Sequence, residues 1–210
     1  MNQTIWIARH GNRLDFVHPE WFNTAEHPYD PPLSEDGIIQ AQELGQRLAG
    51  EKIRHIFASP FLRTVQTADK VAQILDLPIK IESGLSEWLN PDWMKNDPQK
   101  LPMEVLQEQF PRIDPIYRSR ITPHYPENSD RLIQRTGEIA KQLAAEFSDD
   151  ILLVGHNTSV IGAAWGLLGS QENIKAPLCC LVKLVQKGNK WIIQLNGDTS
   201  HLSETKVSLK

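Results

Sequence analysis

The segment Arg9-His10-Gly11-Asn12-Arg13 places two guanidinium groups, an imidazole and a glycine within five residues. Arginine presents a planar fork of N–H donors that matches phosphate oxygens, and a neutral histidine can act as a nitrogen nucleophile. The segment directly follows Thr4-Ile5-Trp6-Ile7-Ala8, an apolar run typical of a buried β-strand. Because open α/β sheets place their sites at strand ends, this segment predicts phosphoryl chemistry.

Two further segments place polar side chains where a strand gives way to a helix. Gly155-His156-Asn157 follows the apolar run 151–154, and Arg63 lies in the helical pattern that follows the strand pattern Ile53–Ala58. If these strands are parallel and adjacent, their carboxyl ends and the helix N-termini beside them meet at one edge of the sheet. The convergence of arginines and histidines there predicts a site for a dianion.

Together these segments resemble, in the same order, the motifs of the histidine phosphatase superfamily, also called the phosphoglycerate mutase-like family. The matching segments are Arg9–Arg13, Ser59–Ala68, Glu87 within Gly84-Leu85-Ser86-Glu87-Trp88, Leu152–His156 and the closing segment Asn196–Leu202. The resemblance spans nearly the whole chain. It implies an α/β fold and a phosphohistidine mechanism.

The resemblance also implies a role for each matching side chain. His10 would attack phosphorus, and Glu87 would protonate the leaving group, with its pKa raised by Trp88 and a dry lid. The predicted phosphate ligands are Arg9, Arg13, Arg63, His156 and Asn157, of which His156 also counts as catalytic. The other carboxylates that could take the role of Glu87 are Glu35, Asp36 and Asp15. No metal or other cofactor is expected, since the arginines supply positive charge.

The tract after the first motif distinguishes branches of the superfamily. Asn12-Arg13-Leu14-Asp15 departs from the mutase pattern and resembles the phosphatase branch that contains ecdysteroid-phosphate phosphatase and the phosphatase domain of ubiquitin-associated, SH3-containing signalling proteins. It therefore favours a metal-independent phosphomonoesterase. A phosphoglycerate-type mutase and a non-catalytic interaction module are the alternatives. The aromatic and proline residues of Val17–Pro32 and Leu85–Asn128 favour a small organic or aromatic phosphomonoester as substrate.

The elements that must position these residues alternate between strand and helix patterns. This alternation predicts one domain, residues 1–210, folded as a three-layer α/β/α sandwich around a mostly parallel sheet. Ser34 and Gly50 are predicted to cap one helix, and Ser59-Pro60 to begin the next. The remaining predictions are a long loop over Val17–Pro32, an insertion or lid of short helices over 85–128, and a final hairpin formed by Leu178–Val185 and Trp191–Leu195.

Composition limits the partners that the chain can have. The 210 residues are 40% hydrophobic and carry a formal net charge of −4, so no overall basic field attracts nucleic acid or an anionic membrane. No apolar run approaches the ~18 residues of a membrane span, and no leader pattern precedes the first strand, which predicts a cytoplasmic protein. Cys179 and Cys180 are expected to be reduced core residues. Two arrangements of the final strand are open: it pairs across a homodimer, or it lies at the edge of the sheet.

Overall fold

The computed structural model describes residues 2–203; Met1 and residues 204–210 of the predicted domain lie outside the described residues. The strands are β1 (Thr4–Arg9), β2 (Ile53–Ala58), β3 (Ile79–Ile81), β4 (Asp150–Gly155), β5 (Leu181–Lys187) and β6 (Lys190–Asp198). The α-helices are α1 (Leu14–Val17), α2 (Trp21–Thr24), α3 (Glu35–Leu48), α4 (Leu62–Leu75), α5 (Met103–Gln109), α6 (Ser129–Glu146) and α7 (Asn157–Leu168), and a 3₁₀ turn covers Ser83–Leu85.

The strands form one six-stranded sheet in the order β3-β2-β4-β1-β5-β6. β1 pairs parallel with β4, and β2 pairs parallel with both β3 and β4. β5 pairs antiparallel with β1 and β6, which confirms the predicted hairpin at the end of the chain. The predicted α/β fold with a mostly parallel sheet is therefore confirmed.

Helices cover both faces of the sheet because successive strand side chains point in opposite directions. On β1, Trp6 and Ala8 join the apolar cluster under α3 and α4, whereas Ile5 and Ile7 join the cluster under α6 and α7. All four side chains are buried. At 25 cal/mol per Å² of apolar area, burying each large side chain stabilises the fold by about 1.5–3 kcal/mol.

The helices that follow the two central strands lie on opposite faces of the sheet. The chain leaves β1 toward α3 on one face and leaves β4 toward α7 on the other. Such a switch point opens a crevice at the carboxyl ends of the two strands, and open α/β sheets bind ligands there. The topology therefore places the polar segments that follow β1 and β4 in this crevice.

Four local predictions are wrong in detail. Val17–Pro32 is not wholly a loop, because it contains the last residue of α1 and all of α2. Gly50 does not cap α3, whose C-cap is Ala49. Ser59 does not begin a helix, because α4 starts at Leu62 after the N-cap Phe61. Within 85–128 the only α-helix is α5, and the rest of that insertion is irregular.

A buried carboxylate ties the insertion to the sheet. Glu82 follows β3, is fully buried and accepts hydrogen bonds from the Tyr117 hydroxyl (2.7 Å) and the Ser119 hydroxyl (2.7 Å). It also accepts from the backbone N–H groups of Gly84 (2.8 Å) and Arg120 (2.9 Å). A buried charge is tolerated only when it is satisfied in this way, so Glu82 fixes the path of 117–121 over the end of β3. In the part of the chain that the structure describes, no helix is long and apolar enough to cross a membrane.

Candidate active site

The register of the two central strands brings His10 and His156 together. Arg9 pairs with Gly155 at the carboxyl ends of β1 and β4, and each histidine is the next residue along its strand. The backbone N–H of His10 donates to the Gly155 carbonyl at 3.1 Å. The two imidazole rings meet edge to face with centroids 5.3 Å apart, and both side chains are buried.

The turn after His10 is pressed against the start of α3. A Cβ on Gly11 would lie 2.6 Å from the Gly37 carbonyl oxygen, which is closer than side chains are found. Asn12 donates through its side-chain amide to Asp36 at 2.8 Å, and its backbone N–H donates to Gln40 at 2.8 Å. Glycine is therefore required at position 11, because the backbone of this turn touches the helix directly.

The protonation of His10 suits a nucleophile. Its Nδ1 lies 2.7 Å from the Gly11 carbonyl oxygen, which can only accept, so Nδ1 carries the proton and Nε2 carries the lone pair. Burial lowers the pKa of His10 well below 6.5, and the positive charge of Arg63 lowers it further. The imidazole is therefore neutral at neutral pH.

Arg63 is the most buried cation of the site, at 1% exposure. Its Nη2 donates to Glu87 Oε2 at 3.2 Å, and Nη1 lies 3.7 Å from Asp30 Oδ1. Burial lowers the pKa of Arg63 from 12.5 to about 10, so it remains charged at neutral pH. The helix that carries it is tied to the turn through Thr67, which accepts from the Gly11 N–H and donates to the Arg63 carbonyl. Its Nε and Nη1 have no hydrogen-bond acceptor among the described residues.

Glu87 follows the 3₁₀ turn after β3 and lies between Arg63 and His156. Its Oε2 is 3.2 Å from Arg63 Nη2 and 3.3 Å from His156 Nδ1. Burial raises the pKa of Glu87, but the contact with His156 and the positive charge of Arg63 outweigh it and hold the pKa well below 4.5. The expected desolvation by Trp88 therefore does not dominate, and Glu87 is ionised with these neighbours.

His156 is oriented by Ser59, a residue that sequence reasoning assigned to a helix cap. Ser59 Oγ lies 2.8 Å from His156 Nε2, while the backbone of His156 caps α7 together with Ser159. Burial lowers the pKa of His156 from 6.5 to about 4. A neutral ring that accepts from Ser59 at Nε2 presents an Nδ1–H toward Glu87, and that N–H has no aligned acceptor. The sequence signal for Ser59 was its place directly after β2, beside the end of β4.

The other predicted phosphate ligands occupy three different settings. Arg9 donates through Nη1 to the Ala176 carbonyl at 2.9 Å, and its buried Nε has no acceptor among residues 2–203. Arg13 makes a bidentate ion pair with Asp15, at 2.9 and 2.6 Å, so its guanidinium is already partnered. Asn157 is exposed at the first residue of α7. The structure therefore brings Arg9, Arg63 and His156 together with unpartnered donors, and it holds Arg13 and Asn157 differently.

The competing carboxylates have other partners. Asp15 binds Arg13, and Asp36 accepts from Ser34 and Asn12. Glu35 is exposed in the first turn of α3. Among the four candidate carboxylates, Glu87 alone contacts Arg63 and His156.

The donor set of the site is better matched to an anion than to a cation. His10, Glu87 and His156 offer ligand atoms that all lie within 4.8 Å of one another, which is a spacing that a metal ion could use. However, Arg63 forms an ion pair with Glu87 there, and Ser59 already holds His156 Nε2. Positive charge and unpartnered N–H donors favour an oxyanion at this place.

Comparisons with known proteins agree with this geometry. The sequence profile described as histidine phosphatase superfamily (branch 1) matches residues 5–199. The chain belongs to this superfamily. It is 28% identical to the transcription factor tau 55 kDa subunit of Saccharomyces cerevisiae over 95% of its own length and 56% of that protein. It is 28% identical to the ecdysteroid-phosphate phosphatase of Drosophila melanogaster over 90% of its own length and 31% of that protein.

Two further likenesses confirm the predicted resemblance and the fold. The chain is 34% identical to human ubiquitin-associated and SH3 domain-containing protein A, over 80% of its own length and 31% of that protein. The crystal structure of the ecdysone phosphate phosphatase from Bombyx mori, in complex with tungstate, has a TM-score of 0.73 at 21% identity and covers 93% of each chain. The chain thus spans about half the length of the first of these curated relatives and about a third of the other two.

Exposed aromatic side chains lie near two of the candidate site residues. The ring of Phe16 lies 4.5 Å from the Arg13 guanidinium, and Phe16 is 46% exposed. Trp93, which is 61% exposed, packs edge to face on Trp88, the residue after Glu87, with centroids 5.0 Å apart. The segment Leu85–Asn128, which the sequence predicted to border the pocket, therefore exposes apolar surface near Glu87, and Phe16 does so beside Arg13.

Proposed function

We propose that this histidine phosphatase is a metal-independent phosphomonoesterase that acts through a phosphohistidine on His10. One observation carries the proposal: buried N–H donors of Arg63, His156 and Arg9 lack acceptors, and all three residues lie close enough to the neutral His10 to influence its pKa. A buried donor without a partner costs about 1–3 kcal/mol. A phosphate group beside His10 would offer oxygen acceptors to all three.

In the first step, His10 Nε2 would attack phosphorus in line. The P–Nε2 bond forms as the bond between phosphorus and the ester oxygen breaks, and the arginines offset the charge of the equatorial oxygens. Glu87 would donate its proton to the departing oxygen, which leaves as an alcohol or phenol. Phosphate beside Glu87 adds negative charge and competes for Arg63, so the pKa of Glu87 would rise and the carboxyl could take up the required proton.

In the second step, a water oxygen would attack the phosphohistidine. The carboxylate of Glu87 accepts a proton from this water, the P–Nε2 bond breaks, and inorganic phosphate leaves while His10 returns to its neutral form. One residue thus serves as acid and then as base, as microscopic reversibility allows. The arginines act in both steps as fixed positive charge.

The surface beside the charged residues supports an organic or aromatic phosphomonoester as substrate. Phe16 exposes apolar surface beside Arg13, and Trp93 does so against Trp88, the residue after Glu87; the leaving group would lie against such surface. Two of the similar proteins are named as ecdysteroid- or ecdysone-phosphate phosphatases, which fits this class. The apolar contact would contribute to binding the leaving group rather than the phosphate.

Hydrolysis of an aryl phosphate in the presence of EDTA tests the proposal. We expect turnover with EDTA and inhibition by tungstate, which mimics the phosphate oxygens. A requirement for added zinc or magnesium would contradict the metal-independent mechanism. No turnover on any monoester, but transfer between phosphoglycerates with a bisphosphoglycerate primer, would show a mutase instead. Absence of both activities would indicate a non-catalytic module.

A further inference from the structure

Arg135 is a buried arginine on α6 that lies outside the charged cluster, at 6% exposure. Its Nε and Nη2 donate to the carboxylate of Glu127, both at 2.7 Å. Its Nη1 donates to the carbonyls of Gly84 (2.8 Å) and Ser86 (3.2 Å), and Nη2 also donates to the carbonyl of Glu87 (3.3 Å). All five N–H bonds of the guanidinium are therefore used, and three of them hold the segment that carries Glu87.

Glu127 forms hydrogen bonds with the next residues of the same segment, Trp88 and Leu89. Its carbonyl accepts from the Trp88 indole N–H at 2.8 Å, and its N–H donates to the Leu89 carbonyl at 2.9 Å. The Trp88 N–H donates in turn to Glu87 Oε1 at 3.0 Å, which leaves Oε2 toward Arg63 and His156. The ion pair of Arg135 and Glu127 thus encloses residues 84–89, and one carboxylate oxygen of Glu87 is held by the same backbone.

We infer that Arg135, held by Glu127, is a positioning residue that sets where the Glu87 carboxyl meets the leaving oxygen. The inference rests on the proposed function, since it concerns the position of the carboxyl that acts as the acid in that reaction. A general acid must come within about 2.6–3.2 Å of the atom that it protonates, and a displacement of about 1 Å can lower the rate about 100-fold. No strand includes residues 84–87. The Arg135 guanidinium therefore fixes this segment, as the backbone hydrogen bonds between β1 and β4 fix His10 and His156.

A stability role alone makes a different prediction. A buried ion pair that only supports folding would affect all substrates alike when one partner is removed. A positioning role affects the step that needs a proton. Esters with poor leaving groups, such as alkyl phosphates, need protonation of the departing oxygen, whereas aryl esters need little. The ratio of the two rates therefore distinguishes positioning from stability.

The test compares kcat/KM for an alkyl phosphate and an aryl phosphate in the unmodified protein and in Arg135→Met. We expect the alkyl rate to fall about 100-fold and the aryl rate to fall less than about fivefold. In a Glu87→Gln background, Arg135→Met should lower the alkyl rate by less than about threefold further, because the group that it positions is already gone. Equal losses on both substrates, or losses that multiply in the double variant, would overturn the inference.

Two further variants keep the test decisive. Arg120→Met removes an ion pair with Glu146 near the surface and should leave the rate ratio unchanged. If Arg135→Met does not fold, Glu127→Gln provides the same comparison with Arg135 retained, and we expect an alkyl loss of about tenfold with the same bias. A folded Glu127→Gln protein without that bias would also overturn the inference. Failure of the unmodified protein to hydrolyse either ester would refute the proposed function itself, and the inference with it.

Discussion

His10 and His156 each follow the last residue of a central strand, whereas Glu87 lies in a segment that no strand partners. The histidines are placed by the ladder of β1 and β4, whose hydrogen bonds come from the backbone. Glu87 is placed by side chains, with Glu82 on one side of its segment and Arg135 on the other. One half of the site is therefore fixed by the sheet and the other by two buried charged groups.

The difference predicts how each half responds to substitution. The backbone hydrogen bonds of a β-ladder form with many different side chains, so a strand-end residue keeps its position when neighbouring side chains change. A position that depends on one guanidinium or one carboxylate is lost when that group is lost, because a buried partner is then left unsatisfied. Substitutions of strand-end residues should therefore remove a reacting group, whereas substitutions around the insertion should displace the Glu87 carboxyl.

The largest effect is expected at the strand ends. His10→Ala removes the nucleophile and should lower kcat on an aryl phosphate by about 10⁴-fold or more, since nothing else in the site can form the covalent intermediate. The fold and the arginines remain, so the variant should melt near the temperature of the unmodified protein and still bind tungstate. Activity within about tenfold of the unmodified protein would refute the covalent mechanism.

The next largest effect is expected at Glu87, the residue proposed to supply the proton. Glu87→Gln keeps the shape of the side chain but cannot donate a proton, so kcat/KM should fall about 10²–10³-fold for an alkyl phosphate. The loss for an aryl phosphate should stay below about tenfold, because a phenolate leaves without protonation. Asp15→Asn is a matched control that neutralises a buried carboxylate beside Arg13 and should not reproduce this bias. An equal loss on both esters would mean that Glu87 is not the acid.

The same division explains how much the sequence could predict. The positions of His10 and His156 at strand ends could be predicted, because strand patterns and parallel pairing determine where a sheet ends. The order of the segments along the chain indicated which of them belong to the same site. The prediction for Ser59 was wrong because its residue type fits a helix cap, but its hydroxyl contacts His156 in the folded chain instead. The insertion has many prolines and little periodicity, so its path depends on long-range contacts such as Glu82 with Tyr117.

A smaller effect is expected from loosening the insertion alone. Glu82→Gln replaces one accepting oxygen with an amide that cannot accept, which leaves buried donors from 117–121 or Gly84 without a partner. The free energy of unfolding in urea should fall by about 2 kcal/mol, and hydrogen exchange should rise in 117–121 but not in β1 or β4. Tyr117→Phe removes only one of these bonds and should cost less. Unchanged stability in Glu82→Gln would mean that this carboxylate does not anchor the insertion.

The smallest effect on the site is a near absence of change with pH in the protonation of the strand-end histidines. Burial and Arg63 hold the pKa of His10 well below 6.5, and burial lowers the pKa of His156 to about 4, so both rings should stay neutral from pH 7.5 to 5.5. A histidine with an ordinary pKa of 6.5 would be about 90% protonated at pH 5.5, and a nucleophile would lose about tenfold in activity.

Ring resonances of His10 and His156 in NMR spectra, assigned with the His10→Ala and His156→Ala variants, should therefore not titrate over this range. Because protonation of these rings is favoured only after unfolding, stability should also fall as pH drops below 6.5, by about 1.4 kcal/mol per pH unit for each ring until its folded pKa is reached. A ring that titrates near pH 6.5 would show that burial and Arg63 do not hold it neutral, and the nucleophile would then need another cause for its lone pair.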